Sequence, residues 1–231
     1  MLTPYVSGQI WLAPYPVRYA GTHFDARMTV IRLPDGRLLL HSPGPIDAAL
    51  RAEIAEIGTV AALVAPGSFH WLHLAAAQAA FPAAETHVCP GVERKAPGLA
   101  IDGILGDRAP PLWAGTLDQV LLRGSRFMCE VAFLHRPSRT LILTDLIENF
   151  TDRTPHAGLM LKLWFKGPFR MWNRPAPAPE YRLGIGDRAA FRHALDRILG
   201  WEFDRIVLSH GDTIDTNARA VAEAAWARYR R

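Results

Sequence analysis

Along the first half of the chain, short apolar or alternating runs are separated by turn chemistry. Residues 8–12, 28–33 and 37–41 are runs of this kind and predict β-strands. Between the last two, Pro34-Asp35-Gly36 predicts a hairpin, because proline presets the first turn angle and glycine accepts positive φ. Over residues 47–57 the period changes. Leu50, Ile54 and Ile57 recur at the three-to-four spacing of an amphipathic helix, which Gly58 closes. Residues 60–65 are wholly apolar, a buried strand ending at Pro66-Gly67. Ser68-Phe69-His70-Trp71-Leu72-His73 follows, then an alanine-rich helix over 74–81 that stops at Pro82.

The second half repeats the theme. A short strand is predicted at 86–89 and a loop or short helix at 90–96, while the glycines and prolines of 97–116 mark irregular structure. Strands return at 119–122, 129–134 and 140–144, the last two flanking the compact turn Arg136-Pro137-Ser138-Arg139. Residues 180–183 precede a helix over 187–199 with Phe191, Leu195 and Ile198 on one face. A buried strand at 205–208, the loop Ser209-His210-Gly211-Asp212 and a final helix over 216–229 complete the chain. Runs of strands with helices after each half predict an α/β protein of two packed sheets covered by helices, one domain over 1–231 with no internal repeat.

Composition narrows the class. The chain has 231 residues, 49% of them hydrophobic and 21% charged, enough to bury a substantial core. Its longest apolar runs, such as 38–40 and 141–143, fall far short of the roughly 20 residues a membrane span needs. Met1-Leu2-Thr3-Pro4-Tyr5 lacks the basic start and apolar centre of a secretory signal, so a cytoplasmic location is expected. Cys89 and Cys129 have no CxxC spacing and read as two buried thiols. The net charge of +4 is spread along the chain rather than gathered in a block, which argues against a nucleic-acid partner.

Candidate chemistry lies at strand ends. In layered α/β proteins the carboxyl ends of strands are where sites are built. Asp145 follows the run Leu141-Ile142-Leu143, His210 follows Ile206-Val207-Leu208, and His70 and His73 follow the 60–65 strand. His70 and His73 sit three positions apart at the start of a predicted helix, a spacing that places two imidazoles on one face. These ends can meet at one sheet edge and hold a zinc, iron or manganese ion with imidazole and carboxylate ligands. The plainer alternative for Asp145 is to cap the turn after it.

With these residues in place, the chain resembles the metallo-β-lactamase superfamily. Ala65-Pro66-Gly67-Ser68-Phe69-His70, the stretch from Phe133 through His135-Arg136-Pro137-Ser138-Arg139 to Leu141, Thr144-Asp145-Leu146 and Asn149 resemble its uncharacterised branch known as a domain of unknown function, DUF4336. The resemblance covers nearly the whole chain. It implies a four-layer αββα sandwich with the site at the edges of the two sheets. The superfamily motif HxHxDH, set with its last histidine on His73 and its middle one on His70, finds Ser68 and Leu72 where a histidine and an aspartate belong. No histidine falls between Gly124 and Glu130, where the next ligand is due. Asp145 matches the bridging aspartate and His210 the last histidine. The resemblance therefore implies a degenerate centre, with His73, Asp145 and His210 as ligands and His70 or Glu130 as a further contact.

Two functions follow as expectations. One is a mononuclear hydrolase acting on a small ester or lactone, with His70, Asp145 and His210 as catalytic groups. The other, a pseudoenzyme, keeps the pocket without the ion and binds a small molecule or serves as a scaffold. His41, Ser68, His135 and Asn149 are expected to support the site, although His135 and Arg139 sit at the far end of the Asp145 strand, where a structural role also fits. Residues 156–173 carry Leu159, Leu161, Leu163, Trp164, Phe165, Phe169 and Trp172 beside Lys162, Lys166 and Arg170. Such a segment suits a lid, a homodimer interface or, over 159–172, contact with a membrane surface.

Overall fold

The computed structural model describes residues 1–230, and its strands form two sheets. The first has seven strands in chain order: β1 (Thr3–Val6), β2 (Ile10–Tyr19), β3 (Thr22–Arg32), β4 (Leu38–His41), β5 (Val60–Ala65), β6 (Glu85–Val88) and β7 (Gly103–Ile104). β1 to β4 are antiparallel and β4 to β7 parallel. The second has four strands, β8 (Leu117–Leu122), β9 (Glu130–His135), β10 (Thr140–Leu143) and β11 (Arg205–Leu208), in the order β11-β10-β9-β8. Within it only the β10–β11 pair is parallel.

The alternation of side chains explains the layers. On β9, Val131 and Phe133 enter the core shared with the first sheet, whereas Ala132 and Leu134 enter a second core under the helices. Every residue of β9 is therefore buried, and its run reads as continuous rather than alternating. Helices cover the outer faces: α1 (Ala48–Ile57) and α2 (Leu74–Ala80) on the first sheet, α6 (Arg188–Leu199) and α7 (Ala218–Trp226) on the second. Two short helices, α3 (Val92–Lys95) and α5 (Pro179–Gly184), and α4 (Leu159–Lys166) lie between. Asp47 caps α1 by accepting from the Leu50 amide at 2.7 Å, and Asp187 caps α6 by accepting from Ala190 at 3.0 Å. This is the αββα sandwich expected from the motifs.

The hairpin of β2 and β3 is much longer than the predicted strands at 8–12 and 28–33. Pro14 and Pro16 obscure it in sequence, yet they cost little here. β1 pairs with β2 only as far as Leu12, so beyond that point β2 has a free edge where a missing amide breaks no ladder. Ala20 and Gly21, both at positive φ, form the two-residue turn between Tyr19 and Thr22. Residues 180–183 belong to α5.

The aromatic segment begins with α4, which lies against β3 and buries Leu161 and Phe165 with Phe24 and Phe150 in a third, small core. Leu159, Met160, Leu163 and Trp164 face outward. Among the described residues, no helix is long and apolar enough to cross a membrane.

Candidate functional site

The carboxyl ends of β5, β10 and β11 come together where the two sheets open. Two isolated bridges join the sheets there, Gly67 with Glu130 and Ala26 with His210. His70, Asp145 and His210 are brought together by these ends, all buried, and one ligand atom from each lies within 4.8 Å of the others. His70 Nε2 is 3.3 Å from Asp145 Oδ1 and 3.2 Å from Oδ2, and His210 Nε2 is 3.3 Å from Oδ1. The two imidazole centroids are 5.3 Å apart.

Each side chain is held from behind. His70 Nδ1 shares a 2.6 Å hydrogen bond with Ser42 Oγ, which leaves Nε2 to face Asp145. The Phe24 ring meets His210 edge-on at 5.2 Å, and Arg27 donates to the carbonyls of Leu208 and, at 2.9 Å, Gly211. Glu130 accepts from the amides of Thr144 at 2.7 Å and Asp145 at 3.0 Å, fixing the turn that presents the aspartate. Asn149 donates from Nδ2 to the Asp212 carbonyl at 3.0 Å, and its own carbonyl accepts from the Asp212 amide at 2.8 Å. The Asp145 and His210 loops are thereby tied together. Gly211 permits this approach: at φ +81° it lies so close that a Cβ would sit 2.2 Å from the Asn149 oxygen.

Burial and charge divide the protons. Burial alone would raise the Asp145 pKa, but charge on His70 and hydrogen bonds from both imidazoles outweigh it and hold the carboxyl well below its usual range. Burial opposes charge on His70 as well, and Asp145, aided by Glu130, overcomes it, so that pKa rises. For His210 burial wins over Asp145 and the pKa falls. Burial and the nearby Asp145 push Glu130 up to about 7 against the pull of its two amides and His70. Burial, with Asp145, Glu180 and Glu130 adding to it, raises Glu148 well above the carboxylate range.

The triad opens into a cavity of about 310 Å³. Tyr15, Val17, Phe24, Phe69, Leu72 and Met128 give it apolar walls, and Arg18, Glu148 and Glu180 supply its polar groups. No residue of 156–173 lines it.

His73 departs from the sequence expectation. Residues 68–73 are turns rather than helix, so the three-residue spacing does not align the two imidazoles. His73 immediately precedes α2 and its ring meets Tyr15 edge-on at 5.4 Å, on the cavity wall but outside the triad. Glu130 also stays outside the triad, its oxygens engaged by the Thr144 and Asp145 amides and faced by the Tyr181 hydroxyl at 3.4 Å. Ser68 serves the main chain: its hydroxyl accepts from the Cys129 amide at 2.8 Å. His41 is buried edge-on to Phe133, both ring nitrogens unpartnered, and burial lowers its pKa to about 3. His135 bonds Ser138 at 2.6 Å, at the other end of β9 from Glu130. Ser42, Arg27 and Glu148 carry parts of the site that periodicity did not mark, because their partners lie on other elements.

A metal fits this donor set on two observations. Asp145 Oδ2, which faces the site, is buried without a hydrogen-bond partner. The nitrogen-to-oxygen spacings of 3.2–3.3 Å match donors that share one tetrahedral ion.

Comparison with known proteins gives a family and a fold. Residues 7–163 match the model of the family described as Domain of unknown function (DUF4336). No curated protein matches the chain. Among solved structures, a metallo-β-lactamase from Pontibacter korlensis aligns with a TM-score of 0.65 at 13% identity, over 96% of this chain and 95% of that one. The FIM-1 metallo-β-lactamase from Pseudomonas aeruginosa, in its mono-zinc form, aligns at 0.66 and 13%, over 99% and 94%. A metallo-β-lactamase from Hirschia baltica aligns at 0.65 and 11%, over 100% and 98%. At such identities the likeness is one of fold.

Proposed function

Because the chain belongs to the DUF4336 family and has the metallo-β-lactamase fold, we propose that it is a mononuclear metal-dependent hydrolase of small ester- or lactone-like substrates. The observation that carries this reading is the buried convergence of His70 Nε2, the Asp145 carboxylate and His210 Nε2 beside a cavity. The structure of one fold neighbour in a mono-zinc form supports a single ion on such a scaffold.

His70, Asp145 and His210 would hold the ion. When bound, a zinc-class ion supplies Lewis acidity, polarising a carbonyl and lowering the pKa of water. The chain's own residues do the rest. Ser42 orients His70, Glu130 and Asn149 orient the Asp145 loop, and Arg27 holds the His210 loop. Such outer contacts fix ligand geometry and basicity. The cavity, of the size that suits a small molecule, would receive an acyl group against Phe24, Phe69 and Met128. Glu148 presents a carboxyl whose pKa burial raises, which would suit it to donate to a leaving oxygen.

The test is elemental analysis of protein purified without a metal-binding tag, beside a D145A/H210A double variant, followed by an ester and lactone panel. The expected result is about one ion per chain, absent from the variant, and hydrolysis that disappears with it. Protein that takes up no zinc, iron or manganese would refute the proposal. The close His70–Asp145–His210 contacts favour one second reading, a self-satisfied metal-free triad lining a binding pocket. That reading predicts an organic molecule carried through purification.

A further inference from the structure

The two cysteines, remote in sequence, meet across the sandwich. Cys89 directly follows β6 of the first sheet and Cys129 directly precedes β9 of the second, and their sulfurs are 2.7 Å apart as free thiols. We propose that Cys89 and Cys129 form a thiol–disulfide exchange site for low-molecular-weight disulfides of the glutathione class, closing to a bond that staples the two sheets beside the His70 loop.

Three features support it. A disulfide needs its sulfurs at about 2.05 Å, so closure asks for a movement of only about 0.7 Å. The main chain on both sides is already fixed: the Cys89 amide donates to Ala65 at 2.8 Å, and the Cys129 carbonyl accepts from the Ser68 amide at 2.9 Å. Both cysteines thus border residues 65–68, the segment that leads from β5 to His70. Finally, the two thiols differ in access, Cys129 being half-buried and Cys89 fully buried.

That difference sets the order of events. The Cys129 thiolate attacks one sulfur of the external disulfide, forming a mixed disulfide and releasing one external thiolate, which takes up the Cys129 proton. The Cys89 thiolate then attacks the Cys129 sulfur, forming the internal bond and expelling the second external thiolate, which takes up the Cys89 proton. One external disulfide and two protein thiols become one protein disulfide and two external thiols. No other oxidant is required.

The experiment equilibrates reduced full-length protein with oxidised glutathione under native conditions. Expected are loss of both titratable thiols, an intact mass lower by two hydrogen atoms, and a non-reduced tryptic digest in which peptide 52–94 is joined to peptide 127–139. C89S removes the resolving thiol and is expected to stop at one glutathionyl group on Cys129. Wild-type protein that keeps both thiols while its denatured form reacts, or that halts at the mixed disulfide, would overturn the proposal. The wild-type measurement decides the matter even if C89S does not fold.

Discussion

The hydrogen bond between Ser42 and His70 Nδ1 is the smallest contact on which the candidate centre depends. S42A is expected to weaken metal affinity about 10- to 100-fold, measured by competition with a chromogenic chelator, while costing only about 1 kcal/mol of stability. Glu130 is expected to behave in the opposite manner. In E130A two buried amides, those of Thr144 and Asp145, lose their acceptor, and urea denaturation should show a loss of roughly 2–5 kcal/mol. Asp145 and His210 were legible in sequence because each ends an apolar run, and a strand end in this fold class faces the site. Ser42 and Arg27 carry no mark in the sequence, because a hydrogen bond between separate elements leaves no periodic trace. His73 was misplaced for a physical reason: spacing by three places side chains on one face only where the backbone is helical.

Elements differ in how plainly they announce themselves. The 60–65 strand and the 205–208 strand match β5 and β11 at both ends, since each is a buried apolar run with sharp boundaries. The β2–β3 hairpin is only partly legible, because its outer half mixes apolar with charged residues and is interrupted by proline on a free edge. That half carries Tyr15, Val17 and Phe24, which is why the cavity wall was harder to foresee than the ligands. At the end of β9, burial keeps His135 at a pKa of about 4, below the roughly 6.5 of an unfolded histidine. Its contribution to stability is therefore complete above about pH 6.5 and declines as pH falls toward 4, where the unfolded chain binds the proton first. H135N is expected to flatten that part of the stability–pH curve, measured by thermal melts across the range.

For the whole molecule, the decisive fact is that no single sheet owns the site. His70 comes from the first sheet, while Asp145 and His210 come from the second. An ion held by all three would bind only the assembled sandwich, so its presence should appear as global stability. With free zinc at 100 times the dissociation constant, the stabilisation is about 2.7 kcal/mol, and a chelator should lower Tm accordingly. The D145A/H210A variant should melt at one temperature with or without zinc.

The pairing of β10 with β11 has a consequence for how the protein is made. Thr140 lies beside Arg205, so the strand that carries His210 cannot dock until a long intervening stretch has left the ribosome. Contacts so distant along the chain close slowly, because the connecting loop must give up its freedom before any pairing rewards it. A nascent chain can thus complete its first sheet and still lack a working centre. The proposed activity would then arrive late in synthesis, and a prematurely terminated product would lack the His210 arm of the triad.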